Sequence, residues 1–199
     1  MWSSEAAVQQ LCAYRGGDNS KNVTFTDEDY MSNDGMQTAI FGPLFWGAIH
    51  MVSFNYPVNP TDEHKKAHYD WIMATGNVLP CRYCRENFKE NMKCVSTSSD
   101  YDSRDNFSRF CYRLHKQVNE MLKKNNTPTF EEVRDMYEGF RSRCLTSEQK
   151  AKLEKDNKEL GCVLPKHDGT KGKCVITVVP RDTITETFRV DEKCKLRAN

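Results

Sequence analysis

The sequence lacks a long uninterrupted apolar segment. Its most apolar stretch, residues 39–54, is interrupted by Gly42, Pro43, His50 and Ser53, whereas a membrane-spanning helix needs about 20 mostly apolar residues. The amino-terminal residues also lack the basic start and the apolar run of a secretory signal peptide. We therefore expect neither a membrane span nor a secretory signal.

The sequence also lacks an excess of charge of either sign. Its 199 residues carry a formal net charge of +1, with 38% hydrophobic and 29% charged residues, as in soluble globular proteins. No basic face is implied, so nucleic acid is not an expected partner. The length allows one compact domain with an appendage.

Cysteine, by contrast, is abundant. In a reducing compartment, close cysteine pairs are more often metal sites or catalytic pairs than structural disulfides. The odd number leaves at least one thiol unpaired within the chain. The nine cysteines are Cys12, Cys81, Cys84, Cys94, Cys111, Cys144, Cys162, Cys174 and Cys194.

The chain divides into three zones. Residues 1–35 are a polar amino-terminal segment, residues 36–145 have helical patterns, and residues 146–199 are a more polar extension. Within that extension, residues 173–180 and 183–190 are rich in Val, Ile and Thr, which predicts a β-hairpin.

Glycine and proline mark predicted helix boundaries in the helical zone. Gly42-Pro43 predicts a helix start, and Gly76 predicts the end of a helix that begins at Asp62. Pro80 then predicts a new helix, with Cys81 in its first turn. Capping pairs predict two further helix starts, at Thr129 with Glu132 and at Thr146 with Gln149; the second helix would end near Gly161.

The clearest amphipathic helix covers residues 107–122. Cys111, His115 and Asn119 are four residues apart and therefore share one ridge of it. Trp46 and His50 share a face of the first helix for the same reason.

Cys81 and Cys84 form the only C-x-x-C motif, and three interpretations compete. They could be buried core residues. They could be half of a zinc site, which needs four ligands and would have to recruit Cys94 or His115.

The third interpretation is a redox disulfide. A helix start has free N–H groups and a positive dipole end, and both stabilise the reactive thiolate. Arg82 and Arg85 add positive charge. A thioredoxin-like fold would need a strand before the motif, but the preceding residues are helical in pattern. A redox pair in a helical bundle needs another electron acceptor, for which a flavin is the obvious choice.

Three sequence segments together resemble the Erv/ALR sulfhydryl oxidases, over roughly residues 38–145. They occur in the family's order and are "GPLFWGAIH", "LPCRYCRENF" and "HKQVNEMLKK". The family's asparagine after the histidine of the third segment is Lys116 here. The matching residues are Gly42, Trp46 and His50; Pro80, Cys81, Cys84 and Phe88; and His115, Val118, Asn119, Leu122 and Lys124.

The resemblance implies an all-α core, namely a four-helix bundle plus a short fifth helix, which binds FAD. The resemblance does not cover the carboxy-terminal extension, for which the residue patterns predict mixed α/β character and no role. The implied activity is FAD-dependent thiol oxidation, which makes disulfides in protein substrates and passes electrons to oxygen to give hydrogen peroxide. Members of the family are commonly homodimers.

The resemblance also implies roles for individual residues. Cys84 would lie against the isoalloxazine ring, and Cys81 would exchange with incoming dithiols. No metal is expected. The residues expected to bind FAD are Gly42, Trp46, His50, Tyr69, His115, Val118, Asn119 and Lys124, with His68 as an alternative to Tyr69.

Two structural disulfides are expected. The resemblance suggests a bond from the His115 helix to the next segment, for which Cys111–Cys144 is the best candidate. Cys162–Cys174 would either staple the extension or shuttle electrons to Cys81.

Two other functions remain open, a flavin-free dithiol–disulfide exchange protein and a helical zinc-binding interaction module. These alternatives can be distinguished from a flavin enzyme by Trp46, His50 and His115, because only a flavin pocket needs all three. The expected location is a virion or the host cytoplasm if the protein is viral, and otherwise the mitochondrial intermembrane space.

Overall fold

The computed structural model describes residues 25–124, 127–156 and 164–165. Within them the chain forms seven helices and two short strands. The helices are α1 (Asp27–Met31), α2 (Thr38–Phe54), α3 (Asp62–Val78), α4 (Arg82–Val95), α5 (Arg104–Met121), α6 (Phe130–Glu138) and α7 (Ser147–Lys155), and the strands are β1 (Ser142–Arg143) and β2 (Leu164–Pro165).

Helices α2 to α5 form a bundle. The most extensive contact is between α2 and α5, while α4 packs against both α5 and α3. The short helix α6 packs on α2. This arrangement confirms the predicted all-α core of four helices and a short fifth one.

Side-chain caps define most helix starts. Thr61, Thr129 and Thr146 each accept a hydrogen bond from the backbone N–H three residues ahead, and the side chain there accepts one from the cap's own N–H. Ser103 caps α5 through its hydroxyl. These caps confirm the predicted starts after Thr61, Thr129 and Thr146.

Helix α2 begins four residues earlier than expected. It starts at Thr38, so Pro43 lies inside it rather than at its first turn. Proline has no N–H, so the carbonyl of Ala39 loses its usual helical donor. The helix nevertheless continues upstream of the proline, and the prediction of a start at Gly42-Pro43 is wrong.

Gly76 does not end α3, which continues to Val78. This glycine is buried where α3 meets α4, and a Cβ atom on it would lie 2.2 Å from Cδ1 of Phe88. Gly76 is therefore a site of close helix–ring packing. The sequence prediction mistook a packing glycine for a helix stop.

The carboxy-terminal extension is described only in part. Helix α7 ends at Lys155, earlier than the predicted end near Gly161. Strand β2 pairs antiparallel with β1, which ties the extension back to the end of the bundle. The predicted hairpin over 173–190 lies outside the described residues.

Two apolar clusters hold the bundle together. The larger lies between α2, α3, α4 and α5, and the smaller joins α6 to the end of α2. The larger contains Ile49, Tyr56, Ile72, Phe88, Met92, Phe107, Phe110, Cys111 and Leu114, and the smaller contains Phe54, Phe130, Val133 and Tyr137. Among the described helices, none is both long and apolar enough to cross a membrane.

Two of the helix-interior glycines, Gly76 and Gly47, should respond to substitution by alanine in opposite ways. Gly76→Ala should lower the free energy of unfolding by about 1–3 kcal/mol, because the new methyl group overlaps the buried Phe88 ring. Gly47→Ala meets no atom within 4 Å and should raise it by up to about 1 kcal/mol through helix propensity. Urea unfolding of the flavin-free protein measures both, and equal effects would contradict the packing role.

Candidate redox site

The structure joins Cys81 and Cys84 in a disulfide, with their Cα atoms 5.2 Å apart. Cys81 is the N-cap of α4, in an extended conformation, and the helix begins at Arg82. Cys84, rather than Cys81, therefore lies in the first turn, which shifts the predicted placement by one residue. The reason is that Cys81 uses its own side chain as the cap.

The backbone of α4 supports negative charge on the Cys81 sulfur. The N–H of Cys84 donates to Cys81 Sγ at 3.1 Å, and the positive end of the helix dipole lies at the same place. Both effects stabilise a thiolate once the disulfide is opened. Arg85 Nη1 donates to the carbonyl of Leu79 at 2.6 Å and brings a cation to this end of the helix.

Helices α2 and α5 bring together three residues that are far apart in sequence. His50 Nε2 and His115 Nδ1 are within hydrogen-bond distance at 2.9 Å. The ring of Trp46 stacks on His115, with centroids 4.2 Å apart and an interplanar angle of 6°. The three aromatic residues named by the sequence thus form one cluster.

Both imidazoles are neutral at physiological pH. Burial lowers the pKa of His50 to about 4. The pKa of His115 falls to about 3, first because of burial and then because a second positive charge is disfavoured beside His50 and Lys124. A neutral pair can accept as well as donate hydrogen bonds, which suits contact with the heteroatoms of a bound ring system.

One atom of the cluster still lacks a partner. His50 is only 2% exposed, and among the described residues its Nδ1 is one of three buried polar side-chain atoms without a hydrogen bond. An unsatisfied buried polar atom is costly. The cluster is therefore suited to receive a polar ligand.

The sequence did not single out two rings beside His50. Tyr137 of α6 lies 5.2 Å from His50 between centroids, and Phe54 lies 6.4 Å away. No signal in the sequence indicated that Tyr137 packs on the histidine.

The remaining residues expected to bind FAD differ in how deeply they are buried. Asn119 is buried on α5, Val118 is partly buried, and Lys124 is exposed just beyond that helix. Gly42 is partly buried, and a Cβ atom on it would meet nothing within 4 Å.

Tyr69 lies elsewhere among the aromatic residues. It is 48% exposed, and its ring contacts Tyr101 edge-on at 5.9 Å. The ring of His68 packs on Tyr56 and Phe107. No described ring contact joins either residue to the histidine pair.

The expected Cys111–Cys144 disulfide is absent from the described structure. Cys111 is a fully buried free thiol. Burial raises the pKa of Cys111 despite a hydrogen bond with the Ser53 side chain. The thiol packs in the larger apolar cluster, between α2 and α5.

The other cysteines are only partly described. Cys94 is an exposed free thiol on α4. Cys162 and Cys174 lie outside the described residues, as do Cys12 and Cys194. Within the described ranges, no group of three or more His, Cys, Asp or Glu residues is arranged to hold a metal ion.

Residues 44–138 match the model of the Erv1 / Alr family. They span the tryptophan and both histidines, the disulfide and helix α6. Residues 44–138 are an Erv1 / Alr domain.

Curated relatives resemble this Erv1 / Alr domain. A probable FAD-linked sulfhydryl oxidase of Acanthamoeba polyphaga mimivirus is 34% identical over 84 residues, which are 42% of this chain and 57% of the relative. A mitochondrial FAD-linked sulfhydryl oxidase of Saccharomyces cerevisiae is 25% identical over 95 residues, which are 48% of this chain and 49% of the relative. The chain thus spans only about half the length of these relatives.

A solved structure also resembles part of the chain. The crystal structure of the FAD binding domain of Erv1 from Saccharomyces cerevisiae has a TM-score of 0.47 and 22% identity, and the match covers 51% of this chain and 94% of that one.

The two histidines should make the fold acid-sensitive. An unfolded histidine takes up a proton near pH 6.5, whereas His50 and His115 do so only near pH 4 and 3 in the fold. Stability is therefore unaffected above about pH 6.5, and each histidine lowers it by about 1.4 kcal/mol per pH unit below that value, until its folded pKa is reached.

Urea unfolding between about pH 7 and pH 5 measures this slope. In His115→Gln the free energy of unfolding should change less steeply with pH than in the wild type, by the contribution of one histidine. Carboxylate titration contributes equally in both proteins, so it does not affect the difference. Identical slopes would contradict a buried neutral His115.

Proposed function

We propose that this chain is an FAD-dependent thiol oxidase. It would take an electron pair from a dithiol of a protein substrate through the Cys81–Cys84 disulfide and deliver it to oxygen as hydrogen peroxide. The observation that carries the proposal is one Erv1 / Alr domain that contains both a disulfide at a helix start and a Trp–His–His cluster with two neutral imidazoles. The names of the curated relatives support the same activity.

The described residues fit a flavin. A flat ring system with nitrogen and oxygen atoms at its edge is matched by the Trp46–His115 stack and by the unpartnered Nδ1 of His50. Bound FAD would supply the redox chemistry by accepting the electron pair of a dithiol and passing it on. The further proposed contacts are Gly42, Tyr69, Val118, Asn119 and Lys124.

The two cysteines have different roles in this proposal. A substrate thiolate attacks Cys81 Sγ, and the S–S bond breaks so that Cys84 leaves as a thiolate. The second substrate thiol then displaces Cys81 and completes the substrate disulfide. The helix start favours the thiolate form of Cys81, because the N–H of Cys84 donates to its sulfur and the positive end of the α4 dipole lies there.

The proposed partners are dithiol-containing proteins and a second copy of this chain, with oxygen as the acceptor. The curated relatives include a mitochondrial and a viral protein. The proposed location is accordingly the mitochondrial intermembrane space, or a virion or host cytoplasm if the chain is viral.

Cysteine variants test the reaction. Cys81→Ser and Cys84→Ser should each abolish oxidation of a protein dithiol without loss of bound flavin, because only the exchanging disulfide is removed. Cys94→Ser, which changes an exposed thiol on the same helix, should retain full turnover. The measurement is thiol consumption alongside peroxide release, which should be equimolar. Undiminished peroxide release by Cys81→Ser would contradict the assignment.

Flavin absorbance tests the cofactor. Trp46→Ala should lower the flavin content of the purified protein by at least several-fold, because the stacked ring is lost. Tyr30→Ala, which removes a 75% exposed ring on α1, should leave it unchanged. Absence of flavin from the wild type, even after added FAD, would favour a flavin-free exchange protein.

A further inference from the structure

The segment of residues 33–36 lies across the active disulfide. The N–H of Met36 donates to the carbonyl of Pro80 at 2.6 Å, and the N–H of Arg82 donates to the carbonyl of Asp34 at 3.3 Å. These two bonds form an antiparallel bridge between Gly35 and Cys81. The backbone on either side of Cys81 therefore acts as a short strand edge that binds an extended peptide.

The close approach depends on Gly35. Its φ of +99° is a conformation that other residues rarely adopt, and a Cβ atom would lie 2.3 Å from the carbonyl oxygen of Pro80 and 2.9 Å from Cα of Cys81. Only a residue without a side chain can lie this close to the cysteine. Cys81 is consequently only 7% exposed, although an exchanging cysteine must be reached by a substrate thiol.

Polar contacts hold the segment in place. Arg85 Nη2 donates to Oδ1 of Asn33 at 2.7 Å, and Arg82 Nη2 lies 3.2 Å from Oδ1 of Asp34. The Arg82 and Asp34 side chains are 58% and 69% exposed, and such exposed ion pairs contribute little stability. The segment can therefore be displaced without unfolding the bundle.

The surroundings of this edge are basic. A cavity of about 320 Å³ opens beside it, and three of its six lining residues are cations while one is an acid. The carboxylate of Asp34 already lies against one of those cations. The lining residues are Asn33, Asn77, Arg82, Arg85, Glu86 and Lys89.

We propose that the Pro80–Arg82 edge is the docking site for the substrate, an extended acidic peptide segment that carries the dithiol, and that residues 33–36 occupy this edge until the substrate displaces them. The inference rests on the proposed dithiol chemistry of Cys81 and Cys84. The substrate backbone would take over the bonds to the Pro80 carbonyl and the Arg82 N–H, as in other cases of strand addition. Its acidic side chain would replace Asp34 at Arg82.

The docked geometry leads directly into the exchange. The substrate thiolate forms a bond to Cys81 Sγ as the Cys81–Cys84 bond breaks, and Cys84 keeps the released electron pair. The second substrate thiolate then bonds to the first substrate sulfur, and Cys81 leaves as a thiolate. The substrate is oxidised by one disulfide, the protein disulfide is reduced to two thiols, and the two substrate protons pass to these thiols or to water.

Two dithiol peptides of equal length test the docking chemistry. One has aspartates beside its cysteines and the other has lysines. The rate of peptide disulfide formation is measured on the full chain, in one turnover without oxygen. This readout needs only the Cys81–Cys84 disulfide, so it remains informative if the flavin or oxygen steps of the proposed function fail.

The aspartate peptide should react several-fold faster than the lysine peptide. Arg82→Glu should reverse the preference, whereas Lys93→Glu, the same charge change at a 71% exposed side chain further along α4, should keep it. Equal rates for the two peptides with the wild type would overturn the acidic docking site, as would an unchanged preference in Arg82→Glu.

Variants within residues 33–36 test whether this segment occupies the docking edge. Gly35→Ala should accelerate both peptides several-fold by displacing the segment. Asn33→Gly should do so without risk to the fold, because it keeps a positive φ and removes only the Arg85 contact. Met31→Ala, a change at a 76% exposed residue before the segment, is the control and should react like the wild type. If both variants are no faster than this control, the segment does not occupy the docking edge.

Discussion

The packing of α2 against α5 is the constraint on which the rest of the structure depends. It places His50 Nε2 and His115 Nδ1 2.9 Å apart. It also removes His50 from water and shields His115 from most of it, which keeps both neutral. It also buries Cys111 beside Ser53. A polar pair and a thiol are thus held among aromatic and aliphatic side chains. Their close packing is what makes a preorganised cluster possible.

The position of the disulfide follows from a second contact. Gly76 lets α3 lie directly against the ring of Phe88, and Phe88 and Met92 anchor α4 in the same core as Ile49 and Leu114. The start of α4, and with it Cys81, is thereby fixed relative to the bundle. A reactive pair at a helix start gains from such anchoring, since the helix dipole only stabilises a thiolate that stays in place.

Local signals in the sequence predicted local structure well. The caps at Thr61, Thr129 and Thr146 were recognisable because a capping hydroxyl and its partner lie three residues apart, and no distant residue is needed to complete them. The same local rules misplaced Pro43 and Gly76. A proline is tolerated inside α2 and a glycine inside α3, where a facing Phe88 ring makes the small residue necessary. Tertiary packing outweighed intrinsic propensity at both positions.

The sequence by itself determined the helical class and most helix starts, and it supplied the residues proposed to carry the chemistry, because helical periodicity and the order of three short motifs are properties of the chain alone. Only the tertiary structure decided that Tyr137 packs on His50, that Cys111 is a buried thiol, and that Gly35 covers Cys81. Each of these joins residues more than forty positions apart in sequence. Their contact depends on how helices pack, and no local pattern encodes it.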